Sequence, residues 1–439
     1  MDIKNILREA GIVGAGGAGF PSYAKLSEGA DTLLINAAEC EPLLFTDFTI
    51  LQEELDAVLD GARLIADFLK IDRVLLCMKS HNAQALGFSD GDSLPHGVFV
   101  RVLPDVYPLG DEINLIYEST GRLVQPGCLP LTQGVIVLNV ETLYNVSSAV
   151  RDGKPVTEKW LTLGGDIEET RVLRVPIGTP IAKLLKKYGI TVPETHALVD
   201  GGPSMGRIVN PLLACVSKTT KGILILPRDI PAISMKLRSA DRHVAVANAV
   251  CCQCTNCTEM CPRALLGYPL EPHRLVRASL EVVRAIPEAY TSALLCCGCG
   301  ICEISACGQY ISPKAVIAEQ KKILAEEKIR YPQGKAPVAP TADRPMRRVP
   351  VSRWRSLLGV AKFQSAPQGD YEICESKEVF VSLKGHIGAP SIPEVKIGDR
   401  VAKGDLIARA AEGLSVNQHA SIDGVVTNVD ANGIRIKQK

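Results

Sequence analysis

No uninterrupted apolar run in this 439-residue chain approaches the roughly 18–20 residues that a membrane-spanning helix needs. The N-terminus, MDIKNILREAG, also lacks the long apolar segment and small-residue cleavage site of a secretory signal, so a cytoplasmic protein is expected. Charge of either sign is missing in excess: 49 Lys and Arg face 48 Asp and Glu, for a net +1. There is no basic stripe with interleaved aromatics, which argues against nucleic acid as a partner. The seven histidines form no metal-like cluster. What the chain does have is core material, at 46% apolar residues, and a length that predicts two to four domains.

Cysteine is abundant, with fifteen residues in a chain that shows no export signal, so clustered thiols point to metal rather than disulfides. Five of them, Cys40, Cys77, Cys128, Cys215 and Cys374, are scattered and read as small buried hydrophobes. The other ten lie between Cys251 and Cys307 in two groups. In CCQCTNCTEMCPR, Cys251, Cys254, Cys257 and Cys261 give C-x-x-C-x-x-C-x-x-x-C followed by Pro262, the run found in bacterial ferredoxins. Three thiolates at two-residue steps can each reach a different iron of one cubane, and the fourth reaches the neighbouring cluster. CCGCGICEISACGQY repeats the steps with Cys296, Cys299 and Cys302, then sets Cys307 one residue further away. The crossover rule therefore assigns Cys251, Cys254, Cys257 and Cys307 to one 4Fe–4S cluster, and Cys296, Cys299, Cys302 and Cys261 to a second. Cys252 and Cys297 are left over. Zinc sites more usually show two C-x-x-C pairs separated by a longer loop.

Elsewhere the pattern alternates. DTLLINAAE, RVLLCMK, GVFVRVLP and GVIVLNV read as strands, and a helical period runs from about Phe48 to Lys70, so residues 1–150 predict a largely parallel α/β sheet. Residues 156–230 carry short strands around one helix, Ile181–Tyr188. A helix around Leu275–Ile286 separates the two cysteine groups. Residues 331–372, rich in Pro, Arg and Ser, predict a linker, and the remainder is strands and Gly-containing turns.

In GAGGAGFP, Gly14, Gly16 and Gly19 have G-x-G-x-x-G spacing, but a helix-like segment precedes them where a plain Rossmann dinucleotide site has a strand. Such a run still suits an anion, because glycine lets backbone N–H groups come close. The whole segment GIVGAGGAGFPSYAKL resembles the flavin loop of the FMN- and NADH-binding subunit of respiratory complex I and of the C subunit of the Rnf electron-transport complex. NAAECEP, YPLGDE and LNVETL follow in the same order as in those families. The resemblance implies that Gly14, Gly16, Gly17 and Gly19, with Lys25 nearby, wrap the flavin phosphate or the nicotinamide nucleotide. It implies that Asn36, Glu39, Tyr107 and Asn139 contact the flavin, that Glu41, Asp111 and Glu112 border the nicotinamide pocket, and that Gly110 of the YPLGDE turn is a cofactor-binding residue. Ala15 stands where the complex I subunit has arginine.

WLTLGGDIEETRVLRVPIGTPIAKLL with DGGPSMG resembles the soluble-ligand-binding β-grasp module of the same families, a spacer or docking surface. The C-terminal piece resembles the lipoyl-like sandwich of the Rnf C subunit, yet its hairpin, AAEGLSVNQ, holds no carrier lysine. In the Rnf protein the sandwich precedes the flavin loop, whereas here it follows the clusters, an order similar to that of the cobalamin reductases of propanediol-utilisation microcompartments. The expected fold is therefore multidomain α/β. It comprises a Rossmann-like flavin domain (1–155), a β-grasp module (156–235), a helical dicluster ferredoxin-type module (236–330), the linker (331–372) and an all-β barrel-sandwich (373–439). Family membership implies an NADH-dependent oxidoreductase that reduces cobalamin through FMN and two 4Fe–4S clusters. It also implies a corrinoid adenosyltransferase and microcompartment shell proteins as partners, and a place inside that compartment. A peripheral subunit of a membrane redox complex, and a structural component with relic sites, are the alternatives.

Overall fold

A near-continuous apolar run suits a strand covered on both faces, and Leu33, Leu34 and Ile35 of β1 (Thr32–Ala37) are all fully buried. β1 pairs in parallel with β2 (Arg73–Lys79), and a short β3 (Ser93–Leu94) runs antiparallel to β4 (Val98–Leu103). A two-residue β5 (Val106–Tyr107) stands apart, and β6 (Val135–Asn139) completes the sheet in the order β3-β4-β2-β1-β6. The chain steps from β1 through β2 to β4 in one direction, then returns to place β6 on the other side of β1. Connections therefore diverge at the carboxyl ends of β1 and β6, the place where an open α/β sheet leaves a ligand crevice. The computed structural model describes residues 2–332, 337–363, 366–367 and 370–438.

The two faces of this sheet have different covers. One is packed by helices Leu55–Leu69 and Val140–Asp152. Against the other lie helix Glu112–Thr120 and Leu266, Tyr268, Leu270, Leu275, Leu295, Ile317 and Leu324 of the cysteine-rich segment. The helical period expected from Phe48 to Lys70 is divided at Glu54 (φ −129°, ψ 28°) into Thr46–Glu53 and Leu55–Leu69. Apolar spacing continues across the break, so periodicity alone shows one helix.

A second sheet is built from β7 (Glu158–Gly165), β8 (Arg171–Pro176), β9 (His196–Asp200), β10 (Arg207–Val209) and β11 (Gly222–Pro227), with helix Ile181–Lys187 beside it. The residues expected to form a linker carry structure of their own. β12 (Val349–Pro350) pairs with β5, helix Val351–Leu358 buries Trp354 completely, and β13 (Glu372–Ile373) joins the edge of β8. Proline-rich composition hides this, because one amphipathic turn around a tryptophan suffices to dock the segment. The C-terminal residues form a four-stranded and a three-stranded sheet around Val379, Val381, Ile407, Val426, Ile434 and Ile436.

Between the cysteine groups, the expected helix Leu275–Ile286 is two short ones, Pro272–Leu275 and Leu280–Ala285. The first closes at Val276, and Ser279 caps the second, its side chain accepting from Val282 N. Among the described residues no helix is long and apolar enough to cross a membrane.

Lys218 ties three parts of the chain together, donating to Gly11 O at 2.8 Å and Asn417 O at 3.2 Å. Burial without a counter-charge pushes its ammonium down to about 7. The unfolded chain thus binds a proton at this site between pH 7 and the ordinary lysine value that the folded chain does not. Folding stability should rise with pH across that window, with the full penalty present below it. His386 and His419 are the titrating neighbours, and burial lowers both, so neither is charged within the window. In thermal melts from pH 7 to 10, Lys218→Met should flatten this rise. An unchanged slope would count against the assignment.

Candidate flavin and iron–sulfur site

The glycine-rich segment is a hairpin closed by the bridge Val13–Pro21 and by Gly14 N donating to Phe20 O at 2.9 Å. It lies over the carboxyl end of β6. Ala15 N donates to Thr142 Oγ1 at 3.0 Å, and Lys159 Nζ donates to Ala15 O at 3.3 Å. Lys159 is itself fully buried against Glu141. Between this hairpin and the crevice at β1 and β6 is a cavity of about 360 Å³, within the size range of small-molecule sites, ~300–1,000 Å³. Gly14, Gly16, Gly17, Gly19, Lys25, Asn36, Glu39, Glu41, Tyr107, Gly110, Asp111, Glu112 and Asn139 all line it.

Several of these side chains are already engaged. Lys25 Nζ donates to Glu112 Oε1 at 2.8 Å and to Val137 O at 3.2 Å. Asn36 bridges Gly110 O and Ala38 N. Glu39 accepts from Thr46 Oγ1 and from Asp47 N, holding the start of helix Thr46–Glu53. Burial, with Asp47 beside it, pushes the Glu39 carboxyl up. Asp111 caps helix Glu112–Thr120 and receives two hydrogen bonds from Arg263 of the cysteine-rich segment, at 2.6 and 3.1 Å.

Glu41 reaches out of the sheet. Its carboxylate accepts from Ser204 N (2.9 Å) and Met205 N (2.7 Å) in the DGGPSMG turn. Lys236 and Lys314 donate to Ser204 O, and Trp354 Nε1 donates to Ser204 Oγ at 2.9 Å. One turn of the second sheet is therefore the junction of four segments. Tyr107 stacks on Trp354 at 4.5 Å and donates its hydroxyl to Cys299 O at 2.7 Å.

Thr142 of the LNVETL segment also lines the cavity, as do Asp47, Lys221, Cys40 and Cys297, which no motif assigns to it. Lys221 comes from the second sheet, with Nζ 2.5 Å from Asp47 Oδ1, and Asn139 donates to Asp47 Oδ2 at 2.9 Å. Nothing local marks a residue that arrives from another module. Cys40, read as a plain hydrophobe, accepts the Gly110 N–H at 2.5 Å. Cys297 did carry a signal, the doubled cysteine.

The two cysteine groups share one backbone shape. Gln253 and Thr255 take left-handed φ of 56° and 63°, and Gly298 and Gly300, at the matching steps, take 74° and 87°. Each pair is followed by a one-turn helix, Asn256–Glu259 or Ile301–Ile304, carrying Cys257 or Cys302. Left-handed residues coil the loop so that its sulfurs point inward, a geometry that costs more at Gln and Thr than at Gly.

Cys251, Cys254, Cys257 and Cys307 surround an open cavity of about 270 Å³, together with His273. Burial, then the thiols of Cys307, Cys251 and Cys254, push Cys257 up to about 12. Cys261 has crossed to the other group, and burial with Cys296 and Cys297 beside it pushes it up to about 12. The neighbouring Cys297 thiol, then burial, push Cys299 well above its usual value, with Cys261 and Cys302 adding to it. All fifteen cysteines are free. Crowded buried thiols, with only Arg263 and Lys321 as cations beside Cys296, are what a cationic iron core would relieve. Among the described residues no three His, Cys, Asp or Glu converge on one ion, and a cubane asks for no such point because each thiolate binds its own iron. Fit to a flavin rests on the glycines. A Cβ at Gly17 would stand in open space, while one at Gly16 would lie 2.9 Å from the Asn139 side chain. Cys297 and Cys299 belong to the wall of the flavin cavity, so cradle and cysteine loop have one boundary in common.

Three family models match the chain: the Nuo51 FMN-binding domain at residues 7–148, a 4Fe-4S dicluster domain at 250–312, and the RnfC barrel sandwich hybrid domain at 360–439. The chain is 36% identical over 438 residues to the cobalamin reductase PduS of Salmonella typhimurium, covering 99% of this chain and 96% of that protein. It is 35% identical to the C subunit of the ion-translocating oxidoreductase complex of Edwardsiella ictaluri over 60% of this chain, but that stretch is only 32% of the longer protein. The crystal structure of an NAD+-reducing [NiFe]-hydrogenase aligns over 75% of this chain and 63% of its own, with a TM-score of 0.46 and 20% identity.

Proposed function

Because the chain belongs to the cobalamin reductase family, as an oxidoreductase with FMN-binding and 4Fe–4S domains, we propose that it uses NADH to reduce oxidised cobalamin one electron at a time through FMN and two 4Fe–4S clusters. A bound flavin supplies the conversion between two-electron hydride chemistry and one-electron transfer. The residues of the chain bind, orient and insulate. The glycine hairpin offers backbone N–H groups and Lys25 a cation to the phosphate, while Asn36, Asn139 and Thr142 stand at the strand ends. Glu41, Asp111 and Glu112 give the nicotinamide side an acidic rim. Cys296, Cys299, Cys302 and Cys261 hold the cluster beside the flavin, and Cys251, Cys254, Cys257 and Cys307 the outer one.

A single observation carries this reading: Cys297 and Cys299 line the flavin cavity, while Cys254 is exposed at the far group. That gives the electron path an inner end and an outer one. The first sheet is read as Rossmann-like (1–155), the second as β-grasp (156–235), and the cysteine module (236–330) as ferredoxin-type. The lipoyl-like sandwich spans 373–439. Coenzyme B12 recycling beside an adenosyltransferase, within a propanediol microcompartment, is the setting this reading proposes for the chain.

The test is anaerobic protein mixed with NADH and aquacobalamin and followed by its visible spectrum, with NADPH in parallel. Cob(II)alamin should form. Brisk reduction of an artificial acceptor with no cob(II)alamin would favour a peripheral subunit of a membrane complex. Cys254→Ala should lose about half the iron and keep its flavin; unchanged iron would refute the ligand assignment.

A further inference from the structure

The C-terminal sandwich carries no carrier lysine in AAEGLSVNQ, residues 410–418, and the electron path does not use it. Yet this hairpin grips the residues that flank the glycine loop, and Ile387 of the same sandwich holds Gly19. On the N-terminal side of the loop, Arg8 Nη2 donates to Ala411 O at 2.9 Å and Asn417 N donates to Arg8 O at 3.1 Å. Lys218 joins Gly11 O to Asn417 O in the same place. On the C-terminal side, Ile387 N donates to Gly19 O at 3.0 Å, Tyr23 Oη donates to Gly413 O at 3.2 Å, and Ser415 N donates to Tyr23 Oη at 3.4 Å.

Packing is as close as the hydrogen bonds suggest. A Cβ at Gly11 would lie 2.6 Å from both Asn417 O and Lys218 Nζ, and one at Gly19 would lie 2.9 Å from Thr219 and 3.4 Å from His386 Cα. Both glycines have left-handed φ, 73° and 74°. The loop between them is glycine-rich and, by itself, among the most entropically expensive backbones to hold still. Fixing both ends removes part of that cost before any ligand arrives, which is preorganisation.

We infer that the sandwich, tied through Lys218, is a positioning element of the flavin cradle: it holds both ends of the glycine loop and so sets how tightly the flavin phosphate is retained. This rests on the flavin reading above. The hairpin that bears a prosthetic group in carrier domains here serves as a clamp on another module's cofactor loop.

The test is the dissociation constant for FMN of the full-length chain, read by flavin fluorescence, with hydrogen exchange followed in peptides covering residues 11–22. Lys218→Met should weaken FMN binding about tenfold and Tyr23→Phe severalfold. Exchange should quicken in 11–22, with iron content and exchange elsewhere in the flavin sheet unchanged. Should Lys218→Met lose iron and fail to fold, Tyr23→Phe, at a half-buried site, decides alone. Wild-type affinity and exchange in variants that keep their iron would overturn the inference while leaving the flavin reading intact. Wild-type protein that binds no FMN would overturn both.

Discussion

Cys302→Ala should lower the iron bound per chain by about half, keep the flavin, and cut acceptor reduction to a few per cent. Cys302 is buried, and that burial, then Glu303 and the thiols of Cys296, Cys261 and Cys257, push its thiol well up. It is absent from the wall of the flavin cavity, so the cradle loses no contact. On the function proposed above, a cubane with three thiolates would be left with an uncoordinated iron at the site through which electrons leave the flavin. Anaerobic iron, sulfide and flavin analysis, with low-temperature electron paramagnetic resonance of NADH-treated protein, checks it. The outer cluster should stay intact yet receive nothing from NADH, and should still be reduced by dithionite. Zinc in place of iron in the wild-type protein, or full iron in the variant, sinks the assignment.

The second large effect concerns Arg263. Its guanidinium makes two hydrogen bonds to Asp111 and stands 5.5 Å from the centre of the Tyr268 ring, with both charged side chains nearly out of solvent. Asp111 lies on the flavin cavity, and Arg263 follows Cys261 by two residues. The pair therefore fixes the distance between cradle and inner cluster. Arg263→Met leaves Asp111 buried and unpaired, a change that costs about 3–5 kcal/mol in comparable pairs. A thermal midpoint lowered by several degrees is expected, with slower passage of electrons from NADH to an acceptor at unchanged iron. The double variant Arg263→Met, Asp111→Asn should recover part of the stability, because no lone charge remains. A double variant no more stable than the single one would mean the ion pair is not the cause.

Much of the site could be read before folding because its parts are local. Cysteines two residues apart, and glycines in a tight hairpin, interact within a few residues, so spacing carries the chemistry. In the structure Cys307 lines one cavity with Cys251, Cys252, Cys254 and Cys257, while Cys261 lies near Cys296 and Cys297. Individual side chains were harder. Glu41 was expected at the nicotinamide and does line that cavity, but its carboxylate holds the Ser204 turn. Glu39 likewise serves the helix that begins at Thr46. Lys221 and Trp354 gave no signal, because each acts on residues more than a hundred positions away.

Sequence by itself therefore determined the chemistry and the order of modules: thiolate spacing, glycine loop, alternating strands. These depend on short-range covalent geometry, which the chain carries whatever its tertiary fold. Tertiary structure alone decided which modules touch: the cysteine segment on one face of the flavin sheet, the Pro-rich stretch sealed by Trp354, and the sandwich hairpin on the glycine loop. Such contacts come from matching of apolar faces and buried polar partners across long separations, and no local pattern encodes them.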